Sequence, residues 1–233
     1  MIGSVGATMA QTGENQLGDF IRGRFLFVEE TCRASGRDPE RTLETIKQEC
    51  FRLAETPERR EFLERKLFGG AVLASAVLPD WLDKVFLEAI SHVLRGPGAP
   101  LFTTSSRTPC VASEAGRFNA RRQAASVFAP LYARKRPVEW LRTTFPIIYR
   151  QCYGATAAAG LKIEDLSAGR FRVTLDNRGL EKAGPLDCST ALGYLCGALE
   201  VLGAKDPVVT HAACGLLARP PAVCLFEVTW REA

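Results

Sequence analysis

Near its C-terminal end this sequence holds four residues able to bind a soft metal ion: Cys188, His211, Cys214 and Cys224. Thiolate sulfur and imidazole nitrogen are zinc ligands, and three of the first with one of the second fill a tetrahedral shell. Such a site leaves no open position for water or substrate, so its role would be structural. The spacing His-x2-Cys-x9-Cys brackets a turn, and a hairpin brings residues on its two sides back together. Spacing leaves a second reading open. Cysteine is also a small, commonly buried hydrophobe, and Cys224 alternates with Phe226, Val228 and Trp230 as an ordinary core-facing strand would.

Other chemistry is sparse. The chain has two histidines, so a Ser-His-Asp or Cys-His arrangement would have to use His211. His211 beside Cys214 is in principle a thiolate-activating pair. The metal reading accounts for the same two residues and for Cys188 and Cys224 as well. No Gly-rich phosphate loop and no acid pair with a defined role is present. We therefore expect a non-enzymatic protein.

Two further sets can bind ligands. Trp140, Phe145, Tyr149, Tyr153 and Tyr194 can line an apolar cavity, and Tyr149 with Arg150 can fix a phenolic or acidic molecule. Each aromatic is equally readable as core, and Arg150 as a solvent-facing helix residue. His92, in "FLEAISHVLRG", is the one histidine on a helix pattern.

The elements that must position these residues are legible from periodicity and punctuation. "DPERTLETIKQECFRLAET" opens with Asp38 as helix cap and Pro39 at the first helical position. Thr56 and Pro57 repeat the device in "TPERREFLERKLF", and "LPDWLDKVFLEAISHVLRG" ends at Gly96. "GPGAPLFTTSSRTPC" (96–110) reads as a linker or loop. Helices are predicted near 117–134 and 137–152, the second kinked at Pro146. From residue 161 the grammar changes. Strands over "LKIEDLS" and "RFRVTLDNR" join at Ala168-Gly169, an amphipathic helix covers "CSTALGYLCGALEVLGA", and "DPVVTHAA" and "AVCLFEVTW" pair across a turn containing Pro220 and Pro221. This is an α+β order, a helical half followed by a β-β-α-β-β unit with an antiparallel sheet packed against helices. We divide the chain into a flexible segment 1–18, a helical region 19–136 and an α/β unit 137–233.

Composition bounds the rest. At 233 residues, 46% hydrophobic and 24% charged, the chain has material for a real core. The net charge of +4 is spread among interleaved acids and bases, which argues against nucleic acid as partner. "PERREFLERK" and "ARKRP" read as solvated helix faces. With no secretory signal and no apolar run beyond "AVLASAVLP" (71–79), we expect a cytoplasmic protein, no membrane contact, and eight cysteines kept as thiols or metal ligands.

The segment from Cys188 resembles the 4-vinyl reductase domain, which also forms the phenol-sensing part of certain bacterial transcription activators. The shared features are Cys188, a glycine-containing helix with Gly193, Gly197 and Gly203, the His211-Ala-Ala-Cys214 step, and "CLFEV". In the activators three cysteines and a glutamate hold zinc. The resemblance implies that Cys188, Cys214 and Cys224 take the cysteine places and His211 the glutamate place. "FPIIYRQCYG", "GRFRVTLDN" and "GYLCGALEVLGAKDPVV" are in addition similar to an uncharacterised paralogous family of myxobacteria, convincingly from about residue 137 onward. The wider superfamily includes haem nitric-oxide-binding domains, whose Tyr-x-Ser-x-Arg clamp is missing from "FRVTLDNR". On that ground haem is not expected. What the resemblance implies is a sensory or regulatory binding module, stapled by zinc, that takes an apolar or phenolic small molecule. Its output would pass through a protein partner or a homodimer. The alternatives are a haem-based gas sensor using His92 and a ligand-free structural interaction protein.

Overall fold

The computed structural model describes residues 15–73, 76–126, 128–176, 184–215 and 223–231. The chain is α+β, with its helices concentrated in the first two thirds. A short strand β1 (Asn15–Leu17) leads into α1 (Gly18–Ser35), α2 (Pro39–Leu53) and α3 (Pro57–Phe62), which continues as a π-helical turn over Leu63–Leu67. Then come β2 (Val77–Pro79), α4 (Asp80–Arg95), α5 (Val111–Ala124), α6 (Pro137–Thr143) and α7 (Phe145–Ala159). The remaining elements are β3 (Leu161–Ser167), β4 (Arg170–Asp176), α8 (Pro185–Val201), β5 (Lys205–Ala213) and β6 (Val223–Arg231).

Local chemistry explains most of these boundaries. The Asp38 carboxylate accepts from the amides of Glu40 and Arg41 at 2.9 and 3.2 Å, and Thr56 accepts from Arg59, so both helices start on filled caps. Gly96 stops α4 with φ 98°, open to glycine alone at no cost. Pro146 does more than kink a helix. It separates α6 from α7, with Thr144 ending the first and Pro146 in the first turn of the second, where its missing N–H has no partner to lose. The helix predicted over 117–134 runs instead over 111–124 and gives way to a 3-10 turn at Ala129–Leu131.

Two segments read as loose are ordered in part. β1 pairs antiparallel with β2, with Gln16 opposite Leu78. The 96–110 segment is a strap rather than a free linker: Ser106 N donates to Val209 O at 2.9 Å, and Ser105 bridges Thr210. Its hydroxyls fold it, with Thr103 Oγ1 donating to Thr108 O at 2.7 Å. The expected turn through Pro220 and Pro221 lies outside the described residues.

The four main strands form one antiparallel sheet in the order β3-β4-β6-β5, with Leu175 opposite Cys224 and His211 opposite Phe226. One apolar core lies between this sheet, α7 and α8, around Trp140, Leu192, Leu199, Val173 and Phe226. A second lies among α1, α2 and α4, around Val28, Ile46, Phe86 and Ile90. Val111, Ala112 and Ala115 of α5 belong to the second and Ala120 to the first, so α5 joins the two. Inside the helical core Arg24 and Asp83 form a bidentate ion pair, both contacts 3.0 Å, with side chains 0% and 2% exposed.

The crossing of α5 and α8 is exceptionally close. A Cβ on Gly193 would sit 1.8 Å from Ser113 O, and one on Gly116 would sit 2.2 Å from Thr190 O. Backbone meets backbone there because neither helix carries a side chain at the contact. This crossing fixes where α8 begins, and therefore where Cys188 stands.

Candidate functional site

Cys188 sits in the first turn of α8, His211 and the strand end before Cys214 belong to β5, and Cys224 opens β6. The ligand atoms of all four lie within 4.8 Å of one another. A tetrahedral zinc with Zn–S bonds of about 2.3 Å separates its sulfurs by about 3.8 Å, so the cluster has the dimensions of a zinc shell. Cys188 Sγ and Cys224 Sγ are 3.5 Å apart. Cys188, His211 and Cys224 are buried, while Cys214 keeps partial exposure.

His211 supplies the most telling detail. Its side chain is 3% exposed, yet neither Nδ1 nor Nε2 has a hydrogen-bond partner among the described residues. Leaving a buried donor or acceptor unsatisfied costs roughly 1–3 kcal/mol, which a coordinated cation would remove. The ring is held from three sides. It stacks on Phe226 at 4.4 Å and 5°, meets Phe102 edge-on at 5.8 Å, and its backbone N–H donates to Thr104 O at 2.8 Å. The 96–110 strap thus positions His211, a role that its composition did not signal.

Without metal the electrostatics favour a neutral Cys188 thiol. The hydrogen bond with Cys224 and burial push the Cys188 thiol far above its ordinary value, with Cys214 and Asp187 adding negative charge nearby. A divalent cation reverses this balance, because a coordinated thiol is held as thiolate. In the helical half, burial with Glu49 alongside raises Cys50 to about 12, which leaves it inert as a nucleophile.

The aromatic set falls partly together. Trp140, Phe145, Tyr149 and Tyr194 are all buried; Trp140 lies 5.9 Å from Phe145 and 6.5 Å from Tyr194, and Phe145 lies 6.0 Å from Tyr149. The Tyr194 hydroxyl donates to Gln123 Oε1 at 2.6 Å and lies 2.6 Å from the Tyr132 hydroxyl. Gln123 in turn donates to Asp19, which is paired with Arg122. This buried polar chain ties α1, α5 and α8 together and has no short sequence signal, since its members are far apart in the chain. Arg150 is exposed on α7, whereas Tyr149 beside it is buried, so the two do not form one polar clamp. The side chain of Tyr153 lies outside the described residues.

His92 connects α4 to α2. Its Nδ1 is 2.6 Å from Glu49 Oε1 and its Nε2 is 3.9 Å from Glu88 Oε1, with the side chain 13% exposed. Arg52 and His92 hydrogen-bond Glu49 and hold its carboxyl down to about 2, against a smaller opposing effect of burial.

No protein-family model matches the sequence, and no curated protein matches it. Solved structures do match in fold. A protein of the H-NOX family, studied for heme distortion, superposes with a TM-score of 0.58 at 11% identity, covering 93% of this chain and 96% of its own. A point mutant of T. Tengcongensis H-NOX gives 0.56 at 10%, covering 92% and 97%. A mutant H-NOX protein from K. algicida, in its Fe(II) unliganded state, gives 0.55 at 10%, covering 93% and 97%. The chain therefore has an H-NOX-like fold.

These neighbours correct the expectation that haem has no place here. That expectation rested on a missing short motif, whereas the matching proteins include ones described by their heme or iron state. A strand motif is a local signal; the fold that surrounds a cofactor is built from long-range packing that no short motif records. His92 meets one requirement of a residue that would hold haem, since a carboxylate anchors its Nδ1 and so fixes the ring. Its Nε2 fits less well, since it faces the Glu88 carboxylate at 3.9 Å.

Proposed function

We propose that this chain is a small-molecule sensory module on an H-NOX-like fold, with a structural zinc ion held by Cys188, His211, Cys214 and Cys224. The observation that carries the zinc reading is the buried His211 ring, without a partner at either nitrogen among the described residues and within reach of three thiols. The resemblance of the Cys188–Val228 segment to the 4-vinyl reductase domain supports the same ligand set. The zinc would staple the start of α8 to the β5–β6 end of the sheet and take no part in chemistry at a substrate. In this reading the module is non-enzymatic and acts through a protein partner or a second copy.

A second reading, a haem-based gas sensor through His92, is supported by the H-NOX neighbours and by the Glu49 anchor on Nδ1. Haem would supply the iron that binds a diatomic gas. The contribution of this chain would be His92, oriented by Glu49.

One sample tests both readings. Elemental analysis and an absorption spectrum are taken on protein produced with haem precursor and zinc supplied. One zinc per chain, lost in Cys214→Ser, supports the staple; zinc absent from the wild-type protein refutes it. A Soret band lost in His92→Ala supports the haem reading, and its absence from the wild type refutes it.

A further inference from the structure

The "ARKRP" run does not decorate a helix face. Its Lys135, Arg136 and Pro137 form one wall of a cavity of about 520 Å³ at the end of β6 opposite Cys224. Five residues of strand lie between Cys224 and Trp230, a rise of about 20 Å, so this cavity is separate from the thiol cluster. Its apolar surface comes from Val138, Leu202, Ala204 and Trp230, and Lys135, Arg136 and Arg231 bring positive charge to it. Among the described residues no carboxylate lines it.

The charges are unequally engaged. Arg231 is paired with Asp206. Lys135 Nζ donates to Thr143 Oγ1 at 3.2 Å, and neither Lys135 nor Arg136 is paired with a carboxylate among the described residues. Trp230 is 8% exposed, with one ring face covered by Phe171 at 4.9 Å and 1°.

Backbone conformation marks the same place. Among the described residues, Arg134 (φ 58°) and Asp206 (φ 50°) are the non-glycine residues in the left-handed region. Arg134 immediately precedes Lys135, and Asp206 holds Arg231, so each adjoins a charged residue of the lining. Such conformations persist where the surroundings over-determine them, commonly at binding sites.

We propose that this cavity binds a small organic carboxylate with a flat apolar body. The carboxylate is held by Lys135 and Arg136, whose planar guanidinium matches it bidentately, and the body lies on Val138, Leu202 and Trp230. The volume lies within the range of small-molecule sites, and mixed apolar walls with a few convergent charges are their usual make-up.

The test is calorimetric titration of the full chain with 2-naphthoate and with its neutral counterpart 2-naphthalenemethanol. Saturable one-site binding of 2-naphthoate is expected, at least tenfold tighter than the alcohol. It should weaken at least tenfold in Lys135→Ala/Arg136→Ala, a pair on the protein surface whose melting curve should match the wild type. Absence of saturable binding, equal binding of the alcohol, or unchanged affinity in the double variant would each overturn the proposal. None of these readouts involves the Cys/His cluster, so a failure here leaves the zinc reading untouched.

Discussion

Cys188 and Cys224 come from elements 36 residues apart and meet with their sulfurs 3.5 Å apart, the start of α8 against the start of β6. His211 completes the contact from β5, with Phe226 beneath its ring.

This arrangement makes His211→Phe a test of sign. If the cluster is only core, phenylalanine removes two buried nitrogens that lack partners among the described residues and keeps a stacked ring, so stability rises by roughly 1–2 kcal/mol. If zinc binds, the same substitution removes a ligand, and the protein loses its metal and several kcal/mol of stability. Urea denaturation of the variant beside a metal assay separates the two, and we expect the loss.

Chelation should act in the same direction. Incubation with a strong zinc chelator is expected to lower the melting temperature of the wild type and to leave Cys214→Ser unchanged. A wild-type melting temperature indifferent to chelator would contradict the staple.

The Arg24–Asp83 pair is fully buried, with Arg24 Nη1 lacking a partner among the described residues. Asp83→Ala leaves a buried guanidinium uncompensated and should cost about 3–5 kcal/mol. Arg24→Met combined with Asp83→Leu should restore much of that loss. Equilibrium unfolding of the three variants checks both statements.

Glu49 predicts an acid dependence. Its folded-state carboxyl is held at about 2, below its ordinary 4.5, so it contributes stability that is fully present above pH 4.5. That contribution is lost as pH falls from 4.5 toward 2. The Arg52 partner is exposed, so screening limits the effect to on the order of 1 kcal/mol. Glu49→Gln should lower stability at pH 7 and flatten its fall between pH 4.5 and 2.

Sequence reading reaches the helices whose caps are side chains, such as Asp38 and Thr56, because a cap is written within four residues. It also anticipates that His211, Cys214 and Cys224 meet, since a hairpin register is a short-range consequence of alternation, whereas Cys188 is placed by the α5–α8 crossing. It does not reach the strap at 96–110, whose hydroxyls pair with one another and with β5 across a separation of about a hundred residues. Absence of a local clamp motif argues against haem, and likeness of fold, which long-range packing determines, corrects that inference. The purpose of "ARKRP" is hidden for the same reason. Solvated helix and cavity wall share one composition, and only the return of β6 distinguishes them.

The glycine notches between α5 and α8 have a mechanical consequence. With Gly193 seated on Ser113 and Gly116 on Thr190, neither helix can slide along the other without backbone striking backbone. The two helices interlock at the backbone. Cys188 stands in the first turn of α8, and α5 reaches into the helical core through Val111 and Ala115. The start of α8 that carries Cys188 is thus held against the same helix that closes the far core.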